Sequence, residues 1–145
     1  MLRMNMKQNR LPTLKEIEDL TAFLPRLCAE GFSPVVSWGG GEKQKDGSIS
    51  VPYPNYHNLV EEFFRLVAIG GWLDNEYNPE QAYQMLKDEN LIKTRLSVSD
   101  QDHVDLTFCV RGERFSDGHW GQMIEKGYIR RLLERLNEIK SEQLK

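Results

Sequence analysis

The sequence predicts a mainly α (α+β) fold: a single compact helical domain with one β-hairpin at about residues 35–53 and a C-terminal amphipathic helix. Three observations predict it. Apolar side chains recur at the spacing of a helix face through most of the chain. β character is confined to one stretch rich in glycine and turn residues, and no linker composition divides the 145 residues. A chain of that length can close one core without disulfide or metal staples. Residues 12–142 are therefore expected to form the domain, behind a disordered arm at residues 1–11.

The first helix opens at a capping box, with Thr13 as N-cap and Glu16 three positions on. Leu14, Ile17, Leu20, Phe23 or Leu24, and Leu27 follow on one face, and Pro25 predicts a kink or a break. Val35 to Trp38 and Ser48 to Tyr53 read as the two hairpin strands, the second with Ile49, Val51 and Tyr53 alternating to one side. Asp46-Gly47 supplies a turn, and the polar, glycine-rich span at 39–47 is expected to be mobile. Its "GGGEK" is no phosphate loop, because Gln44 follows Lys43 where Ser or Thr is needed and no helix follows.

A second helix carries Leu59, Phe63, Leu66 and Val67 and stops at Gly70-Gly71, leaving Trp72 and Leu73 as core anchors. Asn78, Pro79 and Gln81 form a strong helix start ahead of Ala82, Met85 and Leu86, with looser apolar spacing on to Leu91 and Ile92. Residues 99–110 are ambiguous by period: Val104, Leu106, Phe108 and Val110 alternate like a strand, while Ser99 and Asp102 look like a helix cap. Trp120, Met123 and Ile124 make a short apolar face closed by Gly127, and Ile129, Leu132, Leu133, Leu136 and Ile139 build the closing helix.

Composition narrows the function classes. A net charge of −3 disfavours nucleic acid, which draws on a strongly basic face. No apolar run approaches the ~20 residues that span a bilayer, so no membrane partner is expected. The basic start "MLRMNMKQNR" lacks a secretory apolar core, and a cytoplasmic protein is expected. Cys28 and Cys109 lie in apolar stretches and read as buried thiols, with a disulfide between them left open. His57, His103 and His119 share no ligand spacing, so neither metal nor cofactor is called for. The exposed face of residues 128–142 leaves a homo-oligomer possible.

The stretch "CVRGERFSDGHWGQMIEKGYIRRLLERL", Cys109 to Leu136, resembles the hallmark of a family of small prokaryotic proteins of unknown function. That family carries an R-G-E-R-F and D-G signature followed by a leucine-rich closing helix. "VPYPNYHNLVEEFF" and "WLDNEY" resemble its middle portion, so the resemblance covers about residues 50–138. It implies a helix ahead of the signature, which selects helix for residues 99–113. The polar "SVSDQDHVDL" departs from the apolar spacing such a helix would carry. The resemblance implies a fold and no activity.

Residues 111–121, "RGERFSDGHWG", concentrate the chemistry, and they admit three readings. In the first they are a structural corner. Arg111 and Arg114 bond the carbonyls ending one helix or pair with Glu61, Glu62 or Asp74; Ser116 or Asp117 caps the next helix; Phe115 and Trp120 pin the turn into the core. In the second, Arg111 and Arg114 share a helix face and take an anionic small molecule or an acidic segment of a protein partner. Glu113, Phe115, Asp117, His119 and Trp120, with Tyr53, Tyr56 and His57, would supply the surrounding hydrogen bonds and stacking surfaces. In the third, Glu113, Asp117 and His119 are acid–base groups of a small hydrolase, though no nucleophile elbow or metal motif accompanies them. The expectation carried forward is a non-catalytic binding or accessory protein using an arginine and aromatic corner.

Overall fold

A computed structural model describes residues 12–74 and 76–143. The arm expected at residues 1–11 lies outside them.

Local signals set most of the element boundaries. Helix α1 (Leu14–Thr21) starts where its capping box closes: Thr13 Oγ1 accepts the Glu16 amide at 3.2 Å and Glu16 Oε1 accepts the Thr13 amide at 2.7 Å. The chain breaks before Pro25, and α2 (Leu24–Leu27) restarts with the proline in its first turn, where a missing N–H leaves no bond unmade. His57 caps α3 (Asn58–Ile69) by accepting the Leu59 amide on Nδ1 at 3.0 Å. Asn78 caps α4 (Pro79–Lys87) by accepting the Gln81 amide at 3.0 Å, and a short α5 (Glu89–Lys93) follows Asp88.

Residues 100–111 are helical, as the family resemblance implied: α6 (Asp100–Arg111) begins at a Ser99/Asp102 capping box. A single 3-10 turn, Gly112–Arg114, follows it. Then come α7 (His119–Glu125) and the closing helix α8 (Tyr128–Gln143). The architecture is mainly α with one small antiparallel sheet.

The hairpin is shifted from its expected place. Strand β1 (Val35–Gly39) pairs with β2 (Tyr53–Tyr56), Trp38 opposite Pro54 and Gly39 opposite Tyr53. Residues 48–52, expected as strand, form no ladder with the opposite arm: an isolated bridge pairs Lys43 with Ile49, and the Gly41 amide donates to the Ser50 carbonyl at 2.8 Å. Ile49 and Val51 are 68% and 73% exposed. Their alternation has no second layer to bury it, and alternation alone does not hold a strand.

The core is built on α8, whose Ile129, Leu132, Leu133, Leu136 and Ile139 are all buried. Helices α1, α5 and α7 pack on it, and α3 and α4 pack on α6. Phe63, Phe64 and Val67 of α3, Trp72 and Leu106 fill the middle, with Phe23 edge-on to Phe63 at 5.4 Å. Each fully buried side chain of this size contributes about 1.5–3 kcal/mol.

Helix α6 enters this core with polar residues. Asp102, His103, Asp105 and Thr107 are all buried. Arg95 bridges the carboxylates of Asp102, at 2.8 Å, and Asp105, while Gln101 donates to the other Asp105 oxygen at 2.8 Å. Arg135 of α8 donates through Nε to the Arg95 carbonyl at 2.7 Å. Thr107 donates its hydroxyl to the His103 carbonyl and accepts the Asp74 amide, both at 2.7 Å. A buried polar face is tolerated because nearly every group on it has a partner.

Candidate functional site

The corner between α6 and α7 is organised around one carboxylate. At the end of α6 the chain tightens into the 3-10 turn, and the amides of Phe115 and Ser116 both return to the Gly112 carbonyl at 3.0 Å. Gly118 then occupies the N-cap of α7 with φ at +92°, a conformation side chains resist, and offers no side chain to cap with. Glu113 serves instead. Its Oε2 accepts the Gly118 amide at 2.9 Å; its Oε1 accepts the Trp120 amide at 2.9 Å and the Tyr56 hydroxyl at 2.7 Å. Burial, and then the Glu113 contact, push the Tyr56 phenol well above its ordinary range.

This corrects the expected cap. Ser116 and Asp117 are both exposed, because the left-handed step at Gly118 turns the first amides of α7 back toward the 3-10 turn. Phe115 is a second correction: it is 84% exposed and pins nothing. Of the two expected aromatic pins, Trp120 holds the corner. Its ring stacks on Phe64 at 4.8 Å and 12°, lies 5.3 Å from Tyr56, and its Nε1 donates to the Val110 carbonyl at 2.8 Å.

His119 is buried in the same joint. Nε2 lies 3.1 Å from the Phe108 carbonyl, and the Phe108 ring meets the imidazole edge-on at 5.1 Å. A Cβ on Gly112 would fall 2.2 Å from His119 Nε2, so the signature glycine leaves room for this ring. Burial lowers the His119 pKa from 6.5. For the acid–base reading, Glu113 already accepts three donors, His119 directs Nε2 to a backbone carbonyl, and Asp117 faces solvent.

The remaining candidates divide. Arg111, Glu113, Arg114 and Trp120 come together around a cleft of about 380 Å³ floored by Ala68, Leu73 and Val110. The Arg111 guanidinium stands 5.8 Å from the centre of the Tyr77 ring. Among the described residues Arg114 makes no ion pair, and Glu61 and Glu62 stay exposed. Tyr56 reaches the corner through Glu113, whereas His57 is committed to capping α3. Tyr53 is half exposed, its ring lying over Gly39 at the far end of the hairpin pairing.

The family model described as "Family of unknown function (DUF6508)" matches residues 12–142. The chain belongs to that family. No curated protein and no solved structure matches it. The DUF6508 match takes in the hairpin, the corner and the polar face of α6 alike.

Two features of this DUF6508 chain escaped sequence reasoning. Trp38 of β1 lies against Gly118, where a Cβ would come within 3.1 Å of its ring, yet it remains 57% exposed beside the corner. Nothing local in the sequence marks a contact between positions 38 and 118. The Arg95–Asp102–Asp105 group was also missed, although a capping box followed by a further acid one turn on was available as a signal. Both cysteines are free, and burial raises the Cys109 thiol well above its ordinary range. Among the described residues no group of three or more His, Cys, Asp or Glu is placed to hold a metal ion. No helix there is long and apolar enough to cross a membrane.

Proposed function

We propose that this protein is a non-catalytic binding module whose partner is an acidic segment of another protein, taken by the outer side of the α6–α7 corner. One observation carries the reading: Phe115 stands 84% exposed next to an Arg114 that has no ion pair among the described residues. Large exposed aromatics beside arginine are the residue types that anchor interfaces. The backbone beneath them is fixed from inside by Glu113 and Trp120, so presenting them to a partner orders little additional chain. Trp38 extends the apolar surface on one side, and the cleft bearing Arg111 and Arg114 accepts an apolar side chain with a carboxylate at its rim. Free cysteines suit a reducing compartment, and we assign the protein to the cytoplasm on that ground.

Selection of a random peptide library on the purified protein tests this. Enriched peptides should carry Asp or Glu beside an apolar residue, and should bind the Arg114→Glu and Phe115→Ser variants about tenfold or more weakly. Peptides that bind wild type and both variants equally would overturn the proposal.

A further inference from the structure

The opposite side of the corner opens on a recess of different chemistry. His119 lines it, in a space of about 350 Å³ walled by Tyr83, Phe108 and Met123 and rimmed by Glu80, Gln122 and Lys126. The orientation of the imidazole is fixed. A carbonyl only accepts, so the Nε2 that meets the Phe108 oxygen at 3.1 Å carries the ring proton. In that tautomer Nδ1 is a lone-pair acceptor. It has no protein partner among the described residues, yet it is not sealed: there, the sealed and unpartnered side-chain atom is Nε2 of His103. Nδ1 is therefore an unsealed acceptor on a residue that lines the recess. Lys126 makes no ion pair among the described residues either.

We propose that this recess binds a small, singly charged hydroxyaromatic anion, its ring against Tyr83 and Phe108, its hydroxyl donating to Nδ1 of His119 and its charge against Lys126. Each part of the ligand answers one part of the site. Tyr83 and Phe108 stack on each other at 5.6 Å and 25°, with the Lys87 ammonium 4.5 Å from the centre of the Tyr83 ring, so the pair offers a ligand ring its edges. The volume is at the small end of the range for ligand sites, which fits one ring rather than two. A neutral acceptor calls for an O–H donor, and burial favours that neutral form of His119. A second negative charge would meet Glu80 on the rim, so a monoanion fits better than a dianion.

The test uses 4-hydroxybenzoate as the probe, with benzoate and 4-hydroxybenzyl alcohol as controls lacking the hydroxyl and the charge. Side-chain imidazole NMR and amide shift mapping are recorded during each titration. The expected result is a shift of the His119 Nδ1 resonance and about tenfold tighter binding than either control, the worth of one hydrogen bond or one ion contact. Lys126→Ala should bring 4-hydroxybenzoate down to the level of the alcohol. Gln122→Trp should block the recess with the melting temperature unchanged; Lys126 and Gln122 are both exposed, so neither variant endangers the fold. Equal affinities for the three probes, an unmoved Nδ1 resonance, or shifts confined to the Arg114 side would each overturn the proposal.

Discussion

The two ends of α6 solve opposite problems with the same residue types. At its start, Arg95 bridges two carboxylates inside the core; at its end, one carboxylate, Glu113, gathers two amides and a hydroxyl near the surface. The first arrangement is closed, since each charge there has an opposite charge or a donor against it. The second is closed inward and open outward: Glu113 faces the joint, while Arg114, Phe115 and Asp117 face solvent. A polar cluster that satisfies itself fixes a fold. One that satisfies the backbone and leaves its neighbours free presents a surface.

Breaking the closed end should cost most. Arg95→Met leaves Asp102 and Asp105 buried without their cation, and a loss of about 3–5 kcal/mol is expected in urea unfolding. A loss below about 1 kcal/mol would mean that the cluster is already open to water. The corner should give less. Glu113→Ala removes the acceptor for three donors and is expected to cost about 2–3 kcal/mol, while Asp117→Ala should stay within about 0.5 kcal/mol of wild type. Were Asp117 the cap, the order of these two variants would reverse.

The subtlest contrast is in pH. Burial lowers the folded-state pKa of His119 below its unfolded value of 6.5, so the stability tied to its neutral form is present above that value and is lost as pH falls through it. Burial raises Asp105 above its unfolded value of 3.8, so its contribution runs the other way and declines as pH rises from there toward the folded value. Melting temperatures should therefore fall between pH 7 and pH 5 in wild type and fall less in His119→Gln, whose amide can still donate to the Phe108 carbonyl. An unchanged slope in that variant would remove His119 from the account.

What could be read in the sequence follows from how local each signal is. The caps at Thr13, Ser99 and Asn78 and the break at Pro25 depend on neighbours within four positions, and all are found where spacing put them. The inner face of α6 could not be read by period, because the residues it buries include Asp102, His103, Asp105 and Thr107. Leu106 and Cys109 alone give hydrophobic spacing too little to register there, and only the Ser99 cap and the family resemblance favoured a helix. In the hairpin the error had the opposite cause: Ile49 and Val51 alternate, but the burial that alternation usually signals is absent. At the corner two expected roles, the cap by Ser116 or Asp117 and the pin by Phe115, were not found. Which acid caps α7 depends on the 3-10 turn and on the sign of φ at Gly118, and neither is encoded by the spacing of acids.

The Glu113 carboxylate also ties a near contact to a distant one. Its hydroxyl donor, Tyr56, lies 57 residues earlier in the chain, while its amide donors, Gly118 and Trp120, lie 5 and 7 residues later. The short loop closes at little entropic cost, and the long one closes only when β2 is already against α7. The hairpin and the start of α7 thus share one acceptor, and lifting the hairpin would take the Tyr56 hydroxyl from the carboxylate that holds the Gly118 and Trp120 amides.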